Sequence, residues 1–281
     1  MMERVIKSQA VAMSIAGSDC SAGAGLQADL KTMSALDVYG LTVVTSVVSE
    51  IPGLVSKIVH LDADIVYDQT SILLKAFPVR AVKTGMIGTL QQAQAIVQSL
   101  VESKMNSLHL VVDPVIVATA GSRLMKNDAL DFLKAELYPK ATLITPNMDE
   151  ASVLLNSEKP IQDLQSLEDA AFKLSDIFQT SILLKGGHLK GDLSAYDVAV
   201  INGKSHFYES ERIANIKTHG TGCTLSAAIT AFLARNYSLN DAIANAKKWV
   251  HHCIMYSYQW NKNNQWIDAL NHSVCQNINH L

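Results

Sequence analysis

Short β-branched runs alternate with longer helical patterns along most of this chain, and no other feature narrows its fold so far. The pairs read 11–16 then 24–38, 42–49 then 62–77, 80–84 then 89–105, 108–113 then 127–138, and 141–145 then 147–156 with 166–178, before a run at 181–185. That rhythm is βαβ, in which helices serve as crossovers between parallel strands. Leu90, Ala93, Val97, Leu100 and Val101 keep one stripe at helical spacing, as do Leu225, Ala228, Ile229 and Phe232. The runs 108–112 and 181–184 are almost continuously apolar, as expected of strands covered on both faces. The expected fold class is α/β, a doubly wound and mostly parallel sheet with helices on both faces.

The pattern changes after Lys185. Residues 195–201 and 204–208 read as two strands joined at Asn202-Gly203, an antiparallel edge hairpin. Helices at about 221–235 and 239–258 follow, then a polar, weakly patterned tail over 261–281. No linker or repeat divides the chain, so residues 1–281 are expected to form one domain.

The 281 residues are 48% apolar and 17% charged, which excludes disorder. With 23 Lys and Arg against 26 Asp and Glu the formal charge is -3, so no basic field exists for nucleic acid or an acidic membrane, and small-molecule partners are expected. Cys20, Cys223, Cys253 and Cys275 lie far apart without a Cys-x-x-Cys pair, which suggests neither disulfides nor a zinc clip and fits a reducing, cytoplasmic setting. Arg4 and Lys7 precede an apolar stretch at 10–16 that is superficially leader-like, but it runs straight into Gly17-Ser18-Asp19 and reads better as a buried first strand. No uninterrupted apolar run approaches the ~18 residues of a membrane span, so a soluble protein is expected.

In open parallel sheets ligands gather beyond the carboxyl ends of the strands. Here those ends read Gly17-Ser18-Asp19, Ser49-Glu50, Lys83-Thr84-Gly85-Met86, Asp113-Pro114-Val115, Thr145-Pro146-Asn147 and Lys185-Gly186-Gly187-His188. His219-Gly220-Thr221-Gly222-Cys223-Thr224 opens a helix, and its glycines expose backbone N–H groups at the positive end of the helix dipole, which makes an anion cradle. A thiol at that position can have its pKa lowered, so Cys223 is a candidate proton acceptor or anion contact. Asn147 and Glu150 share one side of a helix start, where they serve either as cap and dipole partner or, with Asp113, as oxygen ligands of magnesium. Lys185 before two glycines suits polyphosphate oxygens.

Three other patterns are decoys. Gly203-Lys204-Ser205 sits in a hairpin turn and lacks the earlier P-loop glycine, Val198 standing there. Gly23-Ala24-Gly25-Leu26-Gln27-Ala28 begins too far beyond the first strand to be a dinucleotide fingerprint. His251, His252 and Cys253 lie on one helix with no fourth metal ligand at recognisable spacing.

Taken together, 16–32, Lys83-Thr84-Gly85-Met86, Val112-Asp113-Pro114-Val115, 143–147 with Glu150, Leu184-Lys185-Gly186-Gly187-His188 and 218–228 resemble the hydroxymethylpyrimidine/phosphomethylpyrimidine kinases of thiamine biosynthesis, within the ribokinase-like superfamily. The motifs stand in the family's order, and Cys223 stands where most ribokinase-like relatives carry Asp. The resemblance implies ATP-dependent phosphorylation of a hydroxymethylpyrimidine and then of its monophosphate, with Mg2+, in a homodimer. Carried over by motif, Gly17, Asp29, Glu50, Met86 and Val115 form the pyrimidine pocket. Lys185, Asn147, Thr218 and Gly220 contact the nucleotide, and Asp113, Asn147 and Glu150 organise magnesium. Gly220, Gly222 and Cys223, with Lys185, hold the transferring phosphoryl group. A carboxylate at Glu50 can accept from the exocyclic amino group of an aminopyrimidine.

Cys20 and Ala22 stand where the family usually has Pro and Gly, Ser49-Glu50-Ile51-Pro52 replaces a Gln-Asn-Thr-like stretch, and Thr119 takes a common lysine's place in a flap at 118–123 that also holds Arg123. Pyridoxal kinase of the same cysteine-bearing branch is the nearest alternative, disfavoured because pyridoxal has no amino group for Glu50. A noncatalytic pyrimidine-phosphate sensor and a thiol hydrolase using Cys223 are further alternatives.

Overall fold

The computed structural model describes residues 8–103, 108–117, 124–187, 189, 194–213 and 219–274. Nine strands form one sheet: β1 (Ala10–Asp19), β2 (Val38–Ile51), β3 (Leu54–His60), β4 (Val79–Thr84), β5 (His109–Val112), β6 (Leu143–Ile144), β7 (Ile182–Lys185), β8 (Ser194–Ile201) and β9 (Lys204–Glu211). Their order across the sheet is β3-β2-β1-β4-β5-β6-β7-β8-β9. The six from β2 to β7 run parallel, while β3, β8 and β9 pair antiparallel at the margins.

Alternation along each strand divides the apolar residues between two layers. Met13, Ile15, Val82, Leu110 and Ile182 pack on one face against α2 (Ala63–Ala76), α3 (Leu90–Glu102), α4 (Asn127–Glu136), α5 (Met148–Leu155) and α6 (Leu164–Phe178). Ala12, Ala81, Val111 and Leu183 meet α1 (Gly25–Ala35), α7 (Thr221–Ala234) and α8 (Leu239–Met255) on the other. The apolar stretch at 10–16 is therefore a buried strand. The expected hairpin is β8–β9, closed by Asn202 and Gly203 at φ 51° and 72°, the two left-handed positions of a type I′ turn.

Two hairpins were not anticipated. β2 runs on to Ile51 and turns through Pro52-Gly53, with Gly53 at φ 87°, into β3. The first half of the expected tail is also folded. α8 stops at Met255, and β10 (Tyr258–Lys262) pairs with β11 (Gln265–Ala269) through Asn263 and Asn264 at φ 53° and 60°. Asparagine tolerates the left-handed region almost as a glycine does, and this Asn-Asn pair was the available turn signal.

Candidate active site

β1 sends its connection to β2 on one side, whereas β4 and β5 lie on the other. A switch of this kind opens a crevice beyond the strand ends. Gly17 enters it from β1, Gly85 and Met86 from the end of β4, Asp113 and Val115 from β5, Asn147 and Glu150 from beyond β6, and Lys185 from β7. Glu50 closes one side from the far end of β2, and Gly220, Gly222 and Cys223 close another from the start of α7. The topology thus gathers residues separated by two hundred positions into one cavity.

Gly220 is the N-cap of α7 at φ 84°, with no side-chain cap. A Cβ there would stand 1.8 Å from the Gly23 carbonyl oxygen, and one on Gly222 would stand 3.2 Å from Lys185 Nζ. Glycine is required at 220 by the Gly23 carbonyl, while glycine at 222 leaves the Lys185 ammonium undisturbed, so the helix's N-terminal amide end faces the crevice beside a lysine. Cys223 accepts a hydrogen bond from the Gly25 N–H, at the first turn of α1. Its pKa departs from expectation: burial pushes the thiol up to about 11, and the charge of Lys83 offsets this only in part. The helix dipole does not outweigh desolvation, so Cys223 carries its proton at neutral pH.

Lys185 Nζ lies 3.0 Å from Asp113 Oδ1, with the lysine 15% exposed and the carboxylate 3%. Burial opposes both charges, but Asp113 and Glu150 hold Lys185 above its usual range, and Lys185 with Lys83 holds Asp113 below its own. Asp113 also accepts from Ser226 on α7 at 3.1 Å and from Thr145 at 3.3 Å. Asn147 caps α5 in a reciprocal box: its Oδ1 accepts from the Glu150 N–H at 2.8 Å, and Glu150 Oε2 accepts from the Asn147 N–H at 2.9 Å. Glu150 Oε1 accepts from the Ile116 N–H at 3.2 Å, and burial, reinforced by Asp113, raises its pKa despite Lys185. Among the described residues no three His, Cys, Asp or Glu side chains are grouped as a metal site. Asp113 and Glu150 are nevertheless two buried carboxylates facing one cavity, an all-oxygen set that suits a hard divalent cation completed by water.

Asp29 is the sequence-derived site residue that the structure places elsewhere. It is fully buried beneath the cavity, 2.6 Å from Lys83 Nζ, and accepts from Ser14 at 2.5 Å. Burial works against the charge on Lys83, but Asp29 keeps it protonated. A carboxylate so enclosed cannot contact substrate. Lys83 itself borders the cavity and was missed as a site residue, although a lysine inside the apolar strand run 79–84 was a visible anomaly.

Asp19 was likewise missed. It accepts from the N–H groups of Ser21, Gly23 and Ala24 at 2.7, 3.1 and 2.8 Å and stands 3.5 Å from His219 Nε2. Burial opposes its ionisation, yet these partners hold it at about 2. This carboxylate thereby fastens the loop of α1 to the loop of α7. At the other rim, Cys20 Sγ accepts from the Glu50 N–H at 3.3 Å and lies the same distance from its carbonyl, so the unusual cysteine anchors Glu50's backbone. Thr218, His188 and the flap at 118–123 lie outside the described residues.

A profile of phosphomethylpyrimidine kinase matches residues 19–268. The chain belongs to the phosphomethylpyrimidine kinase family. It is 39% identical over 245 residues to the hydroxymethylpyrimidine/phosphomethylpyrimidine kinase of Rhizobium meliloti, an alignment covering 87% of this chain and 90% of that protein. It spans about half the length of other curated relatives it matches, such as the thiamine biosynthesis bifunctional protein ThiED of Geobacter sulfurreducens, at 39% identity over 239 residues, 85% of this chain and 48% of that protein. The fold is also that of pyridoxal kinase from Staphylococcus aureus in complex with AMP-PCP and pyridoxal, with a TM-score of 0.84, 31% identity, and coverage of 97% and 96% of the two chains. The ribokinase-like architecture expected from the motifs is thereby established.

Proposed function

We propose that this protein transfers the γ-phosphoryl group of ATP to 4-amino-5-hydroxymethyl-2-methylpyrimidine and then to the resulting monophosphate, as a step of thiamine biosynthesis. The observation that carries this reading is one cavity with two unlike walls: Glu50 with Gly17, Met86 and Val115 on one side, and Gly220, Gly222 and Cys223 with Lys185 on the other. Burial and the charge of Asp19 raise the Glu50 pKa, so this carboxylate gains from a partner that donates hydrogen bonds, as an aminopyrimidine does. The opposite wall supplies helix N–H groups and a fixed cation where polyphosphate charge must be neutralised.

Phosphoryl transfer through a loose transition state asks mainly for alignment and charge stabilisation. Lys185 would meet ATP phosphate oxygens, with Asn147 and Gly220 lining the same cavity; the nucleotide role of Thr218 rests on the family motif alone. Asp113 and Glu150 would hold magnesium, directly or through water, and its charge would offset that of the phosphate oxygens. Asn147 serves this set mainly by fixing Glu150 in the capping box. Cys223 works as a protonated thiol that positions the acceptor hydroxyl and the phosphoryl group, and the burial that keeps it protonated weighs against a hydrolase with a thiolate nucleophile. Lys185, Asp113, Glu150 and Cys223 together weigh against a noncatalytic sensor.

The reading includes a homodimer in a reducing, cytoplasmic setting. Val47 and Val59, and Ile51 and Leu54, are paired across β2 and β3 and exposed, an apolar patch suited to a second copy. Pyridoxal phosphorylation is the second reading, favoured by the pyridoxal-bound relative of the same fold. A coupled ADP-release assay with hydroxymethylpyrimidine, its monophosphate and pyridoxal separates them. The expected result is Mg2+-dependent turnover with the highest kcat/KM for the pyrimidines; a preference for pyridoxal overturns the assignment.

A further inference from the structure

The hairpin β10–β11 returns the chain beneath the phosphate wall. Leu270 enters the core shared by α1, α7 and α8, the Asn271 N–H donates to the Cys253 carbonyl at 3.1 Å, and His272 follows, 4% exposed. His272 Nε2 lies 3.0 Å from Thr224 Oγ1, within the first turn of α7. Thr224 in turn closes that turn twice: its N–H and its hydroxyl each reach the Gly220 carbonyl at 2.9 Å. Burial, aided by Lys31, lowers the imidazole pKa to about 4, so His272 is neutral near pH 7 and acts as a hydrogen-bonding strut. The direction of the His272–Thr224 bond follows the tautomer. Either Nε2–H donates to Oγ1 while the hydroxyl donates to Gly220, or, with the ring proton on Nδ1 toward Leu270, the hydroxyl donates to Nε2 and the Thr224 N–H alone holds Gly220.

We propose that His272 is a positioning residue for the phosphate wall, acting through Thr224 to fix Gly220 and the turn that carries Gly222 and Cys223. The structural reason is that Gly220 sits in the left-handed region against the Gly23 carbonyl, a conformation that persists only where its surroundings over-determine it. The isolated first turn of a helix lacks such support, because its hydrogen bonds are few and fray. The buried His272–Thr224 pair supplies it from the far end of the chain. This inference rests on the kinase reading for its rate measurements, but the support of the turn itself does not.

The test compares His272→Leu, His272→Gln, Thr224→Val and the double variant His272→Leu/Thr224→Val. Loss of a whole transition-state donor costs about 10²-fold or more, and a misaimed one less, so each single apolar variant should lower kcat about 10-fold with KM for the pyrimidine within about 2-fold. Because both act through one path, the double variant should be no slower than the slower single, and His272→Gln, which keeps an N–H donor, should recover most of the rate. A His272→Leu enzyme within about 2-fold of the parent, or losses that multiply in the double variant, overturns the proposal. If His272→Leu fails to fold, Thr224→Val against Thr224→Ser decides it, since valine matches threonine in shape and serine restores only the hydroxyl. Absence of turnover in the parent enzyme overturns the kinase reading alone. In that case ATP affinity, measured by titration across the same variants, is read instead, with a loss of about 10-fold in His272→Leu expected and an unchanged value overturning the proposal.

Discussion

Two lysine–carboxylate pairs sit one layer apart in this molecule and differ in what surrounds them. Lys83 and Asp29 are both wholly buried, 2.6 Å apart, with Ser14 contributing a further hydrogen bond to the carboxylate. Lys185 and Asp113 are 3.0 Å apart, and the lysine keeps 15% of its surface open to the cavity. The same two side-chain chemistries thus give a closed pair that holds the floor together and an open pair that can exchange its carboxylate for a ligand's oxygens. Burying paired charge seldom adds net stability, and breaking such a pair is costly. The closed pair is therefore a commitment of the fold, and the open one a reserve for binding.

Lys185→Met should break the contrast most sharply. It is expected to lower kcat/KM about 10³-fold, about 4 kcal/mol, with a smaller loss of stability than at the closed pair because Asp113 keeps Ser226, Thr145 and the charge of Lys83, as steady-state kinetics beside a melting curve will show. Lys83→Met should do the reverse, destabilising the protein by at least about 3 kcal/mol in urea unfolding because Asp29 is left unpaired; the double variant Lys83→Met/Asp29→Leu should restore most of that loss. A single variant as stable as the parent would show that the closed pair is not the commitment described here.

Cys223 feels both lysines and tests whether the closed pair's charge reaches the cavity. Cys223→Ala should cost about 10-fold in kcat, and a loss above about 10²-fold would restore a proton-acceptor role. In the parent protein, Cys223 alkylation followed by peptide mass spectrometry should have its midpoint near pH 11, moving higher in Lys83→Met/Asp29→Leu. The smallest effect concerns pH. Neither lysine titrates on the acid side of neutrality, so part of the acid sensitivity of folding arises at His272 instead. Its folded pKa of about 4 lies below the ordinary 6.5. The unfolded chain therefore binds more protons between those values, so the contribution is complete above pH 6.5 and declines as pH falls toward 4, by at most about 3 kcal/mol. His272→Gln should flatten the pH dependence of Tm across that window.

The same contrast explains what the sequence disclosed. Strand and helix periodicities are local, so the parallel sheet and its two helical layers were readable, as were the strand ends and the glycines before α7. Asn147 and Glu150 carried both a cap and a ligand signature, and the capping box shows that the cap is made whatever else they bind. Asp29 misled because it lies within a family motif while its burial depends on β4, more than fifty residues away. The Cys223 thiol misled for a related reason, since a helix N-terminus is visible in sequence and the depth of desolvation is not. The Pro52-Gly53 and Asn263-Asn264 turns were written plainly enough, but the strands beside them are mostly exposed and lack the apolar runs by which the central strands announce themselves.

The contact between Gly220 and Gly23 carries one more consequence. Two loops far apart in the chain share a space too small for a single methyl group, so neither can be redesigned alone. A library diversifying residues 219–224 while leaving 21–25 fixed should return only glycine at position 220, whereas one that varies both loops together can accept other residues there.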